Sequence, residues 1–246
     1  MAEVEAGHWW YRGLRDALVR TLVRWQPALP PRPSVLDAGC GTGENLKLLA
    51  ERFDPAYLGG FDLSEEAVAW ARRKVPAADV YVSDLCDPEI RVAELDLLLS
   101  LDVICIPGVE RSLPGLRRLV ERLRPGGAFA LNLPAYDWLM SEHDVAVHTT
   151  ERFTLGGVRQ LLDTLGLDAE RASYRLCALL PLVAATRLPG ARRARRKGAE
   201  ARSQLHGGAG PLAGGLFLAT LRLENAFIAR GGRLPFGSSV FAKVGS

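Results

Sequence analysis

Apolar and polar residues recur with two different periods along this chain, and the switches between them mark out its elements. Short apolar runs at Ser34 to Asp37, Tyr57 to Asp62, Asp79 to Val82, Leu95 to Leu101, Ala128 to Leu133, Asp168 to Leu176 and Ser238 to Val244 predict seven strands. Between them the apolar spacing is three and four. Leu14, Leu18, Leu22 and Trp25 predict a helix from His8 to Gln26, and Leu46, Leu49 and Ala50 one that reaches Phe53. A third helix follows Ser64, a plausible N-cap ahead of Glu65 and Glu66, and runs to Lys74. Two more cover Leu113 to Leu123 and Thr154 to Leu165, while Asp87 to Glu94 is long enough for only a turn or two. Proline and glycine punctuate these elements: PALPPRP after the first helix, Asp54-Pro55, Pro76, and Pro125-Gly126-Gly127. The run LDLLLSL at 95–101 is apolar throughout, as expected of a central strand covered on both faces. Strands alternating with helices predict an α/β fold on a largely parallel sheet.

The pattern changes from Cys177 to Arg233. CALLPLVAATRLPG is followed by the basic run ARRARRKGAEAR, by HGGAGPLAGG, and by a second apolar helix from Leu216 to Arg230. In that helix Leu216, Ala219, Leu223, Ala226 and Phe227 share one face, against the polar Arg222, Glu224 and Arg230. Composition sharpens the contrast. The 246 residues carry a net charge of +3, but residues 187–202 hold seven basic residues and one acid, a local +6 that leaves −3 for the rest. A general polyanion-binding field, and with it nucleic acid as partner, is thereby excluded from the body of the molecule. Cys40, Cys86, Cys105 and Cys177 are too scattered for a disulfide framework or a zinc site, so no metal is expected. The start, MAEVEAGHWWYRG, is acidic and aromatic, and no uncharged run reaches about eighteen residues; the expected location is cytoplasmic.

The chemistry concentrates in VLDAGCGTGE, Val35 to Glu44, where a strand ends in an acid and turns through Gly39, Gly41 and Gly43 into a helix. Such a turn lets backbone N–H groups and the positive helix end approach a small ligand. The next two strands also end in acids, so Asp37, Asp62 and Asp84 lie together on the carboxyl edge of a parallel sheet, where open α/β folds bind ligands.

VLDAGCGTGE, FDLS at 61–64, SDL at 83–85, SLDV at 100–103 and LRPGGAFAL at 123–131 together resemble, in order and spacing, the class I S-adenosylmethionine-dependent methyltransferases of the small-molecule type. The resemblance implies a Rossmann-like α/β sheet of seven strands, mostly parallel with the last antiparallel between the fifth and sixth, helices on both faces, and S-adenosyl-L-methionine as cofactor. It divides this single domain into an N-terminal lid helix and linker (1–33), a cofactor-binding core (34–176), a helical cap between strands six and seven (177–233) and a final strand (234–246). It implies that Gly39, Gly41 and Gly43 let the backbone approach the methionine and ribose part of the cofactor, that Asp62 accepts from both ribose hydroxyls, that Asp84 accepts from the adenine amino group with Leu85 packing nearby, and that Asp37, Cys40, Leu63 and Leu101 belong to the same cofactor-binding set. Trp9 to Arg12 resembles an HWWYRG-type segment that closes over the cofactor, with Tyr11 and Arg12 in contact and Arg12 suited to the carboxylate; the alternative is an aromatic staple holding a surface helix. The first helix is expected across the ligand edge.

The implied reaction is methyl transfer to an O, N or C nucleophile of a small acceptor of hydrophobic or lipid-like character. His143-Asp144 and His148 resemble the HD…H stretch of related enzymes and are the candidate catalytic residues, Asp144 or Asp102 orienting a histidine base. Two departures bear on this: Ile106 stands where LDVLEHV-like relatives carry histidine, and Glu151-Arg152-Phe153 where they carry Arg-Arg-Tyr. A cofactor-binding module or membrane adaptor without turnover is the rival from another class. An NAD-dependent oxidoreductase is disfavoured by Glu44 in place of the last glycine of its fingerprint and by the lack of any Tyr-x-x-x-Lys. The 177–233 excursion is expected either to form a soluble cap whose apolar faces pack together over the acceptor, or to rest peripherally on an anionic membrane.

Overall fold

The computed structural model describes residues 7–25, 29–141, 144–145, 147–168, 171–187 and 211–245. Its strands are β1 (Ser34–Ala38), β2 (Tyr57–Asp62), β3 (Asp79–Val82), β4 (Leu95–Leu101), β5 (Leu123–Pro134), β6 (Arg171–Arg175) and β7 (Ser239–Gly245). They form one sheet in the order β3-β2-β1-β4-β5-β7-β6, with β7 antiparallel to both neighbours and every other pairing parallel. This is the Rossmann-like methyltransferase sheet expected from the motifs.

Alternation along the strands gives the sheet two apolar faces. Leu97, Leu99, Ala128, Ala130 and Phe241 point to one, where α1 (Trp9–Trp25), α2 (Glu44–Phe53) and α3 (Glu65–Lys74) cover them through Leu14, Leu18, Leu22, Leu46, Leu49, Val68 and Ala71. Leu36, Leu98, Phe129, Leu131 and Val240 point to the other, under α4 (Val109–Val120) and α5 (Leu155–Thr164). The all-apolar run of β4 is buried at every position, as burial on both faces requires.

Four expectations change. Helix α1 lies on a sheet face rather than across the ligand edge, because its Leu14, Leu18 and Leu22 stripe has that face to bury against. Helix α4 begins at Val109, four residues before Leu113, because its free N-terminus is met by a remote acid: the Val109 N–H donates to Glu151 Oε2 at 2.8 Å. Strand β5 starts at Leu123 rather than Ala128, since Leu123 pairs with Leu95 across an irregularity in register. Residues 88–94 form no helix; the chain is pinned instead by the Tyr81 hydroxyl donating to the Glu89 carbonyl at 3.0 Å and the Glu89 N–H donating to Ser83 Oγ at 2.9 Å.

The excursion between β6 and β7 contains α6 (Leu180–Arg187) and α7 (Pro211–Ala229), the latter five residues longer at its start than the spacing indicated. The predicted apolar face of α7 is not the buried one. Phe217, Leu218, Leu221 and Asn225 turn inward, and the helix packs on α1 rather than over the acceptor edge. Gly13 makes this approach feasible, since a Cβ there would lie 2.4 Å from Leu221 Cδ1. Trp9 meets Phe217 edge-on at 5.3 Å. Glu224 reaches across to accept from the N–H groups of Cys177 and Ala178 at 3.2 and 2.7 Å, just ahead of α6. The arginines of the basic run, Arg192 to Arg196, lie outside the described residues.

Candidate active site

At the carboxyl edge of β1 the chain reverses so tightly that the N–H groups of Gly39 and Cys40 both donate to the Phe61 carbonyl at 2.8 Å. Gly39 has φ 84°, and a Cβ there would sit 2.2 Å from Val103 Cγ2, so a side chain is excluded both by backbone strain and by space. Gly41, at φ 53°, is different: a Cβ there would meet no atom within 4 Å, so its backbone faces open space. Its N–H donates to Asp62 Oδ2 at 2.9 Å, and the Ser64 N–H donates to Oδ1 at 2.9 Å. The Asp62 carboxylate thereby ties the glycine turn to the end of β2. Helix α2 opens from Gly43 without a side-chain cap, and Lys74 of α3 fastens the turn by pairing with Glu44 at 2.6 Å and donating to Thr42 Oγ1 at 3.2 Å.

Asp37 is fully buried behind this turn. The Asn45 amide lies near enough to favour the charged form, yet neither carboxylate oxygen has a partner of good hydrogen-bond geometry. Burial, opposed by Asn45 and reinforced by the charge of Asp62, raises its pKa to about 7. Cys40 is buried beside it, and burial, then the charges of Asp37 and Asp62, push its thiol far up, which makes it packing and not a nucleophile.

At the next strand ends, Leu63 stands 69% exposed, an apolar surface presented to the cleft edge beside Asp62. Asp84 Oδ1 accepts from the Cys86 N–H at 2.8 Å. Leu85 and Leu101 are buried core residues, in the clusters on opposite faces of the sheet. Tyr11 is half-buried with its ring edge-on to Trp10 at 4.9 Å, and Arg12 is exposed.

Across the sheet, where β4 ends, stands a residue the sequence marked only as a helper. Asp102 has φ 60°, a left-handed conformation that a non-glycine residue holds only under constraint. It lies deep in the molecule but keeps partial solvent exposure. Both its carboxylate oxygens accept from Asn132 Nδ2, at 2.8 and 3.0 Å. Burial raises its pKa to about 7, against the opposing pull of Asn132, Arg175 and Arg152. Asn132 Oδ1 in turn accepts from Arg175 Nη1 at 3.2 Å and from the Ser239 hydroxyl at 2.8 Å. Arg175, 1% exposed, donates its Nε to Asn225 of α7 at 3.3 Å, and Asn225 Nδ2 donates to the Gly13 carbonyl and Asp16 of α1. A buried polar chain therefore runs from Asp102 through β5 and β6 to both outer helices. Asn132, Arg175 and Asn225 were not singled out in the sequence; the available signal was an asparagine inside the otherwise apolar FALNLP.

Of the histidine motif, His148 and Asp144 fall within the described residues. His143 lies outside the described residues. His148 is exposed, at φ 59°. Asp144 does not orient it: Asp144 accepts from the Ser141 N–H and hydroxyl at 2.8 and 2.6 Å, from Arg152 at 2.5 and 3.1 Å, and from Arg187 at 3.2 Å. Burial would raise this carboxyl, but Ser141, then Arg152 and Arg187, hold it below the usual carboxylate range. Arg152 also donates to the Ala135 carbonyl at 2.7 Å. Asp144 is thus the anchor that ties this loop to the end of β5 and to α6.

Residues 35–127, the stretch holding the glycine turn, Asp62, Asp84 and Asp102, match the family model described as methyltransferase domain. Residues 35–127 are thus a methyltransferase domain of the class I S-adenosylmethionine-dependent kind. Among curated relatives, a trans-aconitate 2-methyltransferase of Deinococcus radiodurans is 35% identical over 142 residues, 56% of this chain and 49% of its own. Another of the same name, from Variovorax paradoxus, is 35% identical over 108 residues, 43% of this chain and 40% of its own. The chain thus spans about half the length of the curated relatives it matches or less. The solved S-adenosylmethionine-dependent methyltransferase of Mesorhizobium loti shares the fold at a TM-score of 0.58, with 17% identity, over 92% of this chain and 98% of that one. The chain keeps the glycine turn and the three strand-end acids at one edge of the sheet, while the cluster around Asp102 is built by residues the motifs do not specify.

Proposed function

We propose that the protein transfers a methyl group to a hydroxyl or amine of a small, hydrophobic or lipid-like acceptor held against Asp102. The reading rests on one observation above the others: the glycine turn, with its open face at Gly41, is bonded through Asp62 to the β2 edge directly beside exposed Leu63. S-adenosyl-L-methionine fits this edge by chemistry, because it brings a cation and donors to an edge that presents the acids Asp62 and Asp84, with Asp37 buried behind them. Gly39 and Gly41 would allow its close approach, Asp62 would hold its ribose, Leu63 its adenine face, and Asp84 the adenine amino group. When bound, it supplies an electrophilic methyl on a sulfonium.

The chain's own work is alignment, exclusion of water and proton removal. Asp102 is the group for the last. At a pKa of about 7 it is ionised often enough to act and basic enough to accept a proton. Asn132 fixes both its oxygens, and Arg175 behind Asn132 keeps the site from carrying a bare negative charge. A tricarboxylate, the kind of acceptor named for the relatives, arrives already deprotonated and would meet the Asp102 charge. An acceptor with a proton to lose suits Asp102 better.

Calorimetric titration with S-adenosyl-L-methionine and with NAD tests the cofactor half. Asp62→Ala is expected to weaken binding about tenfold or more, since charge-assisted hydrogen bonds contribute roughly 1.5–3 kcal/mol each. Unchanged affinity in that variant, or tighter binding of NAD, refutes the assignment.

A further inference from the structure

Helix α7 has two apolar faces and the protein covers one of them. Over Leu212–Ala229 it is long and apolar enough to cross a membrane by length and composition, yet only 17% of that stretch is buried. The inner face, Phe217, Leu218, Leu221 and Asn225, is fixed on α1. On the outer face Leu212 is 92% exposed, Leu216 66%, Leu223 75% and Phe227 51%. Their spacing of four, seven and four keeps them on one line about 23 Å long at 1.5 Å per residue. A soluble helix turns charged residues outward, and isolated exposed leucines need no explanation, but an aligned apolar stripe of this length does.

The charges around the stripe choose its occupant. Arg222 is exposed on α7 and Arg230 is exposed in the turn just past its end. At its C-terminal end a groove of about 440 Å³ is lined by Arg24 of α1 together with Arg230 and Arg233, with Ser173, Gly231 and Gly232 beside them. A second copy of this chain packed with its α7 parallel to this one would bring the same positive patch against itself, and one packed antiparallel would leave that patch without an anionic partner. A surface that is apolar within and anionic at its rim satisfies both features, and that is an acidic lipid bilayer. Spanning is excluded by the inner face, because Asn225 and Glu224 are bonded to Gly13, Asp16 and the start of α6. The helix must lie flat.

We propose that the outer face of α7 docks this protein in the plane of an anionic membrane, with Leu212, Leu216, Leu223 and Phe227 in the acyl boundary and Arg222, Arg230 and the Arg24–Arg233 groove against phosphate headgroups. The site is separate from the cofactor edge, and the proposal stands or falls independently of the acceptor's identity.

Co-sedimentation of the full chain with phosphatidylcholine vesicles, with and without phosphatidylglycerol, tests it. The wild type is expected to pellet with the acidic vesicles and to be released by high salt. Leu216→Glu with Phe227→Glu abolishes pelleting, and Arg222→Gln with Arg230→Gln weakens it about 25-fold on acidic vesicles, at about fivefold per basic residue. These positions face solvent, so melting temperature and cofactor affinity stay at wild-type values. If the double glutamate variant fails to fold, Leu212→Glu alone replaces it, and Leu223→Trp reports insertion by a blue shift of its emission with acidic vesicles. A wild type left in the supernatant with acidic lipid at low salt overturns the proposal. So does a dimer in sedimentation velocity that Leu216→Glu with Phe227→Glu converts to monomer without any vesicle binding, because a second copy then covers the face.

Discussion

Asp102→Asn is the perturbation that separates the acceptor-side reading from a merely structural role. The buried carboxyl titrates at about 7, against a usual value of 3.8, so the folded state holds a proton that the unfolded chain releases. Between about pH 4 and 7 the folded protein therefore binds more protons, and stability falls as pH rises, by up to about 1.4 kcal/mol per unit at full one-proton linkage. Above about 7 both states are ionised and the dependence levels off. Over the whole interval the effect reaches about 4 kcal/mol, a ceiling that the residue's partial exposure lowers. Asparagine removes this contribution, so the variant gains on the wild type as pH rises from 5 to 8. A shallower slope of the same sign remains from Asp37. Turnover moves the other way. Only ionised Asp102 accepts a proton, so wild-type kcat/KM is expected to fall about tenfold per unit below pH 7 and to flatten above it. The variant loses about 10²–10⁴-fold in kcat with cofactor affinity retained. Release of S-adenosylhomocysteine followed from about pH 5 to 9, alongside urea unfolding at the same pH values, supplies both curves. Wild-type turnover in Asp102→Asn, or a flat wild-type profile, refutes the assignment of Asp102 as the proton acceptor.

Asp144→Ala leaves Arg152, whose side chain is 4% exposed, without its carboxylate, and is expected to cost about 3–5 kcal/mol in denaturant unfolding at pH 7. Because the Asp144 pKa is depressed, its contribution is present above the unfolded value of about 4 and is lost as pH falls through the lower folded value, so variant and wild type converge in acid; a difference under about 1 kcal/mol at neutral pH contradicts the anchor role. Deleting residues 1–26 uncovers the Leu97, Leu99 and Phe241 face and the inner face of α7, and is expected to prevent stable folding, where an ornamental lid would have left the sheet intact. Leu18→Ala, at a fully buried position, is the milder form, with an expected loss of about 2–5 kcal/mol; a truncated chain that melts at the wild-type temperature refutes both.

Local chemistry carries far in this protein, and the sequence by itself determined the sheet, its strand-end acids and the glycine turn. The reason is that each is a short-range requirement. Val35 to Glu44 must turn from strand to helix through positive φ, which three glycines permit, and the position of each strand along the chain follows from its own apolar run. The direction in which amphipathic helices face is a different kind of fact. Leu14, Leu18 and Leu22 specify that α1 buries a stripe but not which surface receives it, and α7 is apolar on two sides, so only the placement of α1 and Gly13 decided which side was covered. The cluster around Asp102 was still less accessible. Asp102, Asn132, Arg175 and Asn225 are 30, 43 and 50 residues apart along the chain of contacts, and their meeting depends on β7 inserting between β5 and β6. Asp144 carried the same histidine motif whether it oriented a base or neutralised arginines. Tertiary packing set Arg152 and Arg187 around it, and a buried carboxylate takes the cations that fold into reach.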